Sequence, residues 1–189
     1  MATVGILTFS DGRAFVAEQV EEMNRGFQER LQRRLEDDGH RVVTGEEIVW
    51  TNEGAVREAR RLAAASCDCT IFNFAVWVFP HLPALASRFA PGPLLLFSQV
   101  NPQHPGLVGM LASAGALNQA GTPYARAYGE IEDEATYARA LLRAGRQSRA
   151  RTVNVTVPGR AHHAITPCDR IAGVRYRPVR PVRAMPCTK

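Results

Sequence analysis

The sequence changes character near residue 147, and the change separates a part that can fold from a part that cannot. Up to that point one unit recurs: a short apolar run, a loop, then an amphipathic stretch. Beyond it the chain turns into Arg, Pro and isolated Val, with 5 Pro in 42 residues at positions 158, 167, 178, 181 and 186. Apolar periodicity is lost after Val157. Such a segment buries too little apolar surface to offset the entropy of ordering it. The expectation is a folded body over residues 1–147 and an irregular or disordered basic tail over residues 148–189.

Charge divides the same way. The body holds 14 Arg against 17 Asp and Glu, a net of −3, while the tail holds 9 basic residues and one Asp, a net of +8. The overall +5 therefore belongs to the tail alone. The body has no basic stripe interleaved with aromatics, which argues against a nucleic-acid partner. No run approaches the ~20 apolar residues of a membrane span. The first apolar run is broken at Ser10-Asp11-Gly12-Arg13 with no basic stretch ahead of it, unlike a signal peptide. The four cysteines, Cys67, Cys69, Cys168 and Cys187, show no C-x-x-C spacing. They read as reduced thiols of a cytoplasmic protein, with Cys67 and Cys69 on the same side of a strand.

Five short β-favouring runs are predicted as strands: 3–9, 41–44, 70–76, 94–98 and 124–128. Between them a long helix is expected over 14–38, with Val16, Val20, Met23, Phe27, Leu31 and Leu35 on one face and Gly39 as its stop. Further helices are expected over 53–65, with Val56, Ala59, Arg60 and Ala63 along one side, and over 82–89, 105–120 and 133–146. Alternating strands and helices predict an α/β fold, a Rossmann-like three-layer sandwich around a mainly parallel five-stranded sheet. Ligands of such sheets bind outside the carboxyl ends of the strands. Those ends are 10–13, 73–80, 98–106 and 128–130, and most polar and aromatic loop residues of the body lie there.

Three stretches at that edge carry chemistry. Asp11-Gly12-Arg13 follows the first strand. Gly permits a tight turn and Arg offers a planar fork of donors that suits a hydroxyl, carboxylate or phosphate. A turn followed by a solvated Arg is the alternative. Trp77 follows the third strand, where an indole can stack on a sugar face and donate one hydrogen bond, or can serve as a core or interface aromatic. Its neighbours Asn73 and His81 are left unassigned. The stretch 98–106, rich in amides and leading into a helix start, suits a polyhydroxylated or anionic ligand, or is a polar loop with a cap. There is no G-x-G-x-x-G and no Walker loop. His162-His163 has no carboxylate partner nearby, and adjacent residues rarely hold one ion together.

Taken in order, VGILTFSDGRAFV, TIFNFAVWVFPHL and PLLLFSQVNPQHPGLVGMLASAGALNQAGTPYARAYGEIED resemble the amino-terminal domain of the L-fucose/L-arabinose isomerase family, its fucose isomerase branch in particular. The resemblance covers about residues 1–147. It implies a cytoplasmic aldose–ketose isomerase of monosaccharides that uses a divalent metal, usually manganese, in a hexameric or related homo-oligomer with active sites between subunits. It also implies that Arg13 and Trp77 contact the sugar in a neighbouring subunit's site. The family's metal-binding Glu, Asp and His lie in later domains, and nothing in this chain matches them, so no cofactor is expected in this chain itself. The expectation is a partial or remnant isomerase subunit that contributes substrate contacts. On this view the tail is out-of-frame translation of GC-rich codons, a composition also suggested by Lys189 being the only lysine. The alternatives are a stand-alone monosaccharide-binding or regulatory module, and an interaction protein whose basic tail binds nucleic acid or acidic partners.

Overall fold

The computed structural model describes residues 2–100, 103–133 and 136. Five strands, β1 (Thr3–Phe9), β2 (Arg41–Thr44), β3 (Cys69–Phe74), β4 (Leu94–Ser98) and β5 (Tyr124–Tyr128), form one sheet in the order β2-β1-β3-β4-β5. Every neighbouring pair is parallel. The helices are α1 (Ala14–Gln19), α2 (Glu21–Asp37), α3 (Asn52–Ala64), α4 (His81–Ala86) and α5 (Gly106–Gln119). The α/β reading of the sequence holds, with all five strands where the apolar runs lie.

The strand order explains the layering. From β1 the chain moves one way to β2, then returns across β1 to β3 and continues to β4 and β5. Crossovers keep one hand, so reversing direction puts the connecting helices on opposite faces. Leu7, Phe9, Phe72, Phe74, Leu94 and Leu96 form a core with residues of α3, α4 and α5. Phe9 meets Phe72 edge-on at 5.0 Å between ring centroids and stacks on Phe74 at 5.6 Å. On the other face Val4, Ile6, Ile71, Leu95 and Phe97 pack with Leu31 and Leu35 of α2. The two-residue alternation of each strand fills both cores.

Several local expectations are corrected. The long first helix is two helices, interrupted at Val20, whose φ of −108° and ψ of 7° leave the helical region. Its inward face carries Asn24, Gln28, Leu31 and Leu35, not Met23 and Phe27. The reason is the sheet beneath: towards its carboxyl end that face becomes polar, with Thr8, Ser10 and Asn73 all buried. The helix answers with amides, and Asn24 Nδ2 donates to Ser10 Oγ at 3.1 Å. In α3 the buried side is Gly54, Ala55, Glu58, Ala59 and Leu62, so only Ala59 of the expected face is correct. Glu58 shifts the face because its buried carboxylate accepts the Glu46 N–H at 2.9 Å and the Arg57 Nε–H at 3.0 Å. Thr51 caps this helix by accepting the Gly54 N–H at 3.0 Å.

The two described cysteines also part company. Cys67 packs in the core of α3 to α5, whereas Cys69 lies against the α2 core. Cys67 precedes β3 and follows Ser66, whose φ is 55°, so strand alternation does not relate the two. Gly39, at φ 80°, ends α2 as expected. The helix expected over 133–146 and the tail 148–189 lie outside the described residues, apart from positions 133 and 136. No helix among the described residues is long and apolar enough to cross a membrane.

Candidate functional site

A sheet of order β2-β1-β3-β4-β5 reverses direction between β1 and β3, and the crevice outside their carboxyl ends is where such folds bind ligands. The β1–α1 and β3–α4 loops meet there. Asp11 is 2% exposed and accepts three hydrogen bonds from Arg13. The backbone N–H and Nε of Arg13 both reach Oδ1 at 2.9 Å, and Nη2 reaches Oδ2 at 2.7 Å. Hydrogen bonding to the guanidinium holds the Asp11 carboxyl below its ordinary range, against the opposing effect of burial. The same bonds raise the Arg13 pKa. The Arg13 side chain is 56% exposed, its guanidinium carbon 5.7 Å from the centre of the Phe15 ring. With Nε and one Nη2 proton committed to Asp11, the Nη1 and Nη2 edge remains outward, presenting two parallel donors.

Gly12 links this turn to the next loop. A Cβ there would stand 2.9 Å from Phe79 Cδ2, so the turn rests directly on the Phe79 ring. Phe79 in turn meets Trp77 edge-on at 6.4 Å between centroids and lies 6.0 Å from the His81 ring. The structure thus brings the Arg13 and Trp77 loops together, with Phe79 between them. Trp77 itself is half-buried, flanked by the buried Val76 and Val78. Helix α5 fixes that loop from below. A Cβ on Gly109 would lie 2.8 Å from Val78 N and 3.3 Å from Trp77 Cα, and one on Gly106 would lie 2.5 Å from Phe74 O.

The third expected stretch is built differently. The first turn of α5 abuts the Phe74–Ala75 backbone and is not an open anion cradle. Ser98 Oγ donates to Phe74 O at 2.9 Å. Gln99 is buried and accepts from Arg30 Nη2 at 2.6 Å, while Arg30 also pairs with Glu132 at 3.1 Å. Asn73 is likewise structural, donating to Thr8 Oγ1 at 3.1 Å. Asn101 and Pro102 lie outside the described residues.

Sequence reasoning missed Asp11 as the partner of Arg13, Phe79 as the bridge, and Gly106 and Gly109 as the close contacts beneath Trp77. The last had a readable signal, two glycines three apart at the start of an otherwise apolar helix. The edge also carries exposed aromatics, Phe15, Trp50 and Tyr128. A groove of about 250 Å³ runs beside α1 and α2, lined by Glu18, Glu21, Arg25, Glu47, Ile48 and Trp50, and Arg25 and Glu21 pair within it at 2.7 Å.

The resemblance implies a divalent cation. Among the described residues no three His, Cys, Asp or Glu side chains come together to hold an ion. Both oxygens of Asp11 are taken by Arg13, and those of Glu58 by the Glu46 N–H and Arg57. The described side chains do not fit a manganese site. What the edge offers is a guanidinium held by Asp11 and, on the adjoining loop, an indole against Phe79, groups that can bind and orient a polar ligand.

Fold and edge together define a parallel α/β domain whose β1–α1 and β3–α4 loops meet at the β1/β3 switch point. Residues 1–148 match the family described as L-fucose isomerase, first N-terminal domain, and the chain belongs to that family. A comparison with curated proteins found no match.

Proposed function

We propose that this chain is a substrate-contacting unit of a metal-dependent aldose–ketose isomerase acting on a monosaccharide of the L-fucose or L-arabinose type. Arg13 and Trp77 face the sugar, and the metal and the proton-transferring carboxylates come from other domains or another subunit of a cytoplasmic oligomer. Isomerisation moves a proton between adjacent carbons, which needs a general base and acid beside the polarised oxygens. The loops described above supply binding and orientation. The observation that carries this reading is the meeting of two motif-bearing loops at one strand edge, where Phe79 of the Trp77 loop packs against Gly12, next to Arg13. The family match supports it. The test is an isomerase assay of the purified chain with L-fucose, D-arabinose and L-arabinose in manganese. No turnover is expected from the chain alone, and measurable turnover would overturn the division of labour proposed here.

A further inference from the structure

A lone guanidinium at a sheet edge favours phosphates and carboxylates, because charge-assisted bonds to anions are its strongest. The edge described here is not a lone guanidinium. Asp11 lies beneath Arg13, buried, and both its oxygens are bonded to the side chain it faces. The pair carries no net charge. The other groups shown in contact with this turn, Phe15, Phe79 and the Trp50 carbonyl, are uncharged. The bidentate bond also fixes the guanidinium plane, leaving one edge of two parallel N–H donors to face outward.

We infer that Asp11 sets the ligand class of this edge: it orients Arg13 and cancels its charge, so that the edge takes the neutral vicinal hydroxyls of a free sugar and discriminates against sugar phosphates and sugar acids. Asp11 is a positioning residue that acts through Arg13. The inference rests on the reading of Arg13 as a sugar contact. It adds to that reading which sugars are refused and what refuses them.

The test is a titration of the full isotope-labelled chain with L-fucose, a fucose phosphate ester and L-fuconate, following the Arg13 Nε–H and Trp77 indole resonances. The readout is the ratio of apparent affinities for anionic and neutral ligands. The native chain is expected to favour L-fucose. Asp11→Asn keeps the size of the side chain but frees the charge of Arg13, and should raise the anion-to-neutral ratio by about threefold, the effect in water of one unit charge roughly 7 Å away, across the guanidinium from the ligand. Asp11→Glu should restore the native preference, and Arg13→Gln should lower the ratio below the native one. A merely structural role for Asp11 would weaken all three ligands alike and leave the ratio unchanged, which overturns the inference. So does a native preference for the anions. If neither resonance of the native chain responds to any of the three, the sugar-contact reading of Arg13 fails first, and this inference fails with it.

Discussion

Helix α5 offers two glycines on which one substitution should have opposite signs. At Gly106 a new Cβ would stand 2.5 Å from Phe74 O, 2.8 Å from Ala75 C and 2.9 Å from Ala75 O. All three are backbone atoms at the end of a central strand, so no side chain can swing away. Comfortable contact begins near 3.5 Å, so the helix start must retreat by about 1 Å. Overpacking of this kind costs about 1–3 kcal/mol. At Gly115 no atom of the described residues lies within 4 Å of the same added atom. There the change only removes the backbone entropy penalty of a mid-helix glycine, a gain of roughly 0.5–1 kcal/mol. Gly106→Ala and Gly115→Ala should therefore differ by about 2–4 kcal/mol. At a urea slope of about 2 kcal/mol per M this separates their unfolding midpoints by roughly 1–2 M. Because the Gly106 contact lies next to the segment bearing Trp77, Gly106→Ala should also alter tryptophan emission of the folded chain, and Gly115→Ala should not. Equal midpoints for the two variants, or a Gly106→Ala variant more stable than the parent, would refute the packing described between α5 and the β3–α4 loop.

Three other outcomes follow from single contacts. Thr51→Ala removes the acceptor of the Gly54 N–H and should cost about 1 kcal/mol in urea melts. Gln28 Oε1 is buried without a hydrogen-bond partner among the described residues, so Gln28→Met, similar in volume, should stabilise by about 1 kcal/mol, and a loss of stability would show that the amide is satisfied in solution. Burial pushes the Cys69 thiol up from 9.0 to about 11. The folded state then holds this proton more tightly than the unfolded chain, so the contribution of Cys69 is full below about pH 9 and declines as pH rises towards 11. Cys69→Ala should flatten that alkaline decline in stability, and iodoacetamide should modify Cys69 far more slowly in the folded chain than in urea at pH 8.

How much was legible in the sequence depended on whether hydrophobicity or polar pairing decided the structure. The runs at 3–9, 41–44, 94–98 and 124–128 are strands with those same limits, because buried parallel strands need continuous apolar stretches. The third run overshot by two residues. Ala75 and Val76 are as buried as a strand interior, but they lie in the loop that α5 presses against, and apolarity cannot tell the two apart. Helix faces were misread where a polar residue points inward. Asn24 meets Ser10 at the polar end of the sheet, and Glu58 serves a loop N–H, and a hydrophobic pattern passes over both cases. At the edge, residue type and position after a strand singled out Arg13 and Trp77. The rest was tertiary: that Arg13 turns back onto Asp11, and that Phe79 brings the Trp77 loop against Gly12, depends on loop paths that no spacing records.

The central proposal, that Arg13 and Trp77 face a sugar from two loops that meet at Phe79, is tested most directly by indole fluorescence. In a Trp50→Phe background, Trp77 is the sole tryptophan. Titration with L-fucose should change its emission saturably, and both Arg13→Gln and Phe79→Ala should weaken that response while the chain stays folded. An emission indifferent to L-fucose, or a response that both substitutions leave untouched, would contradict it.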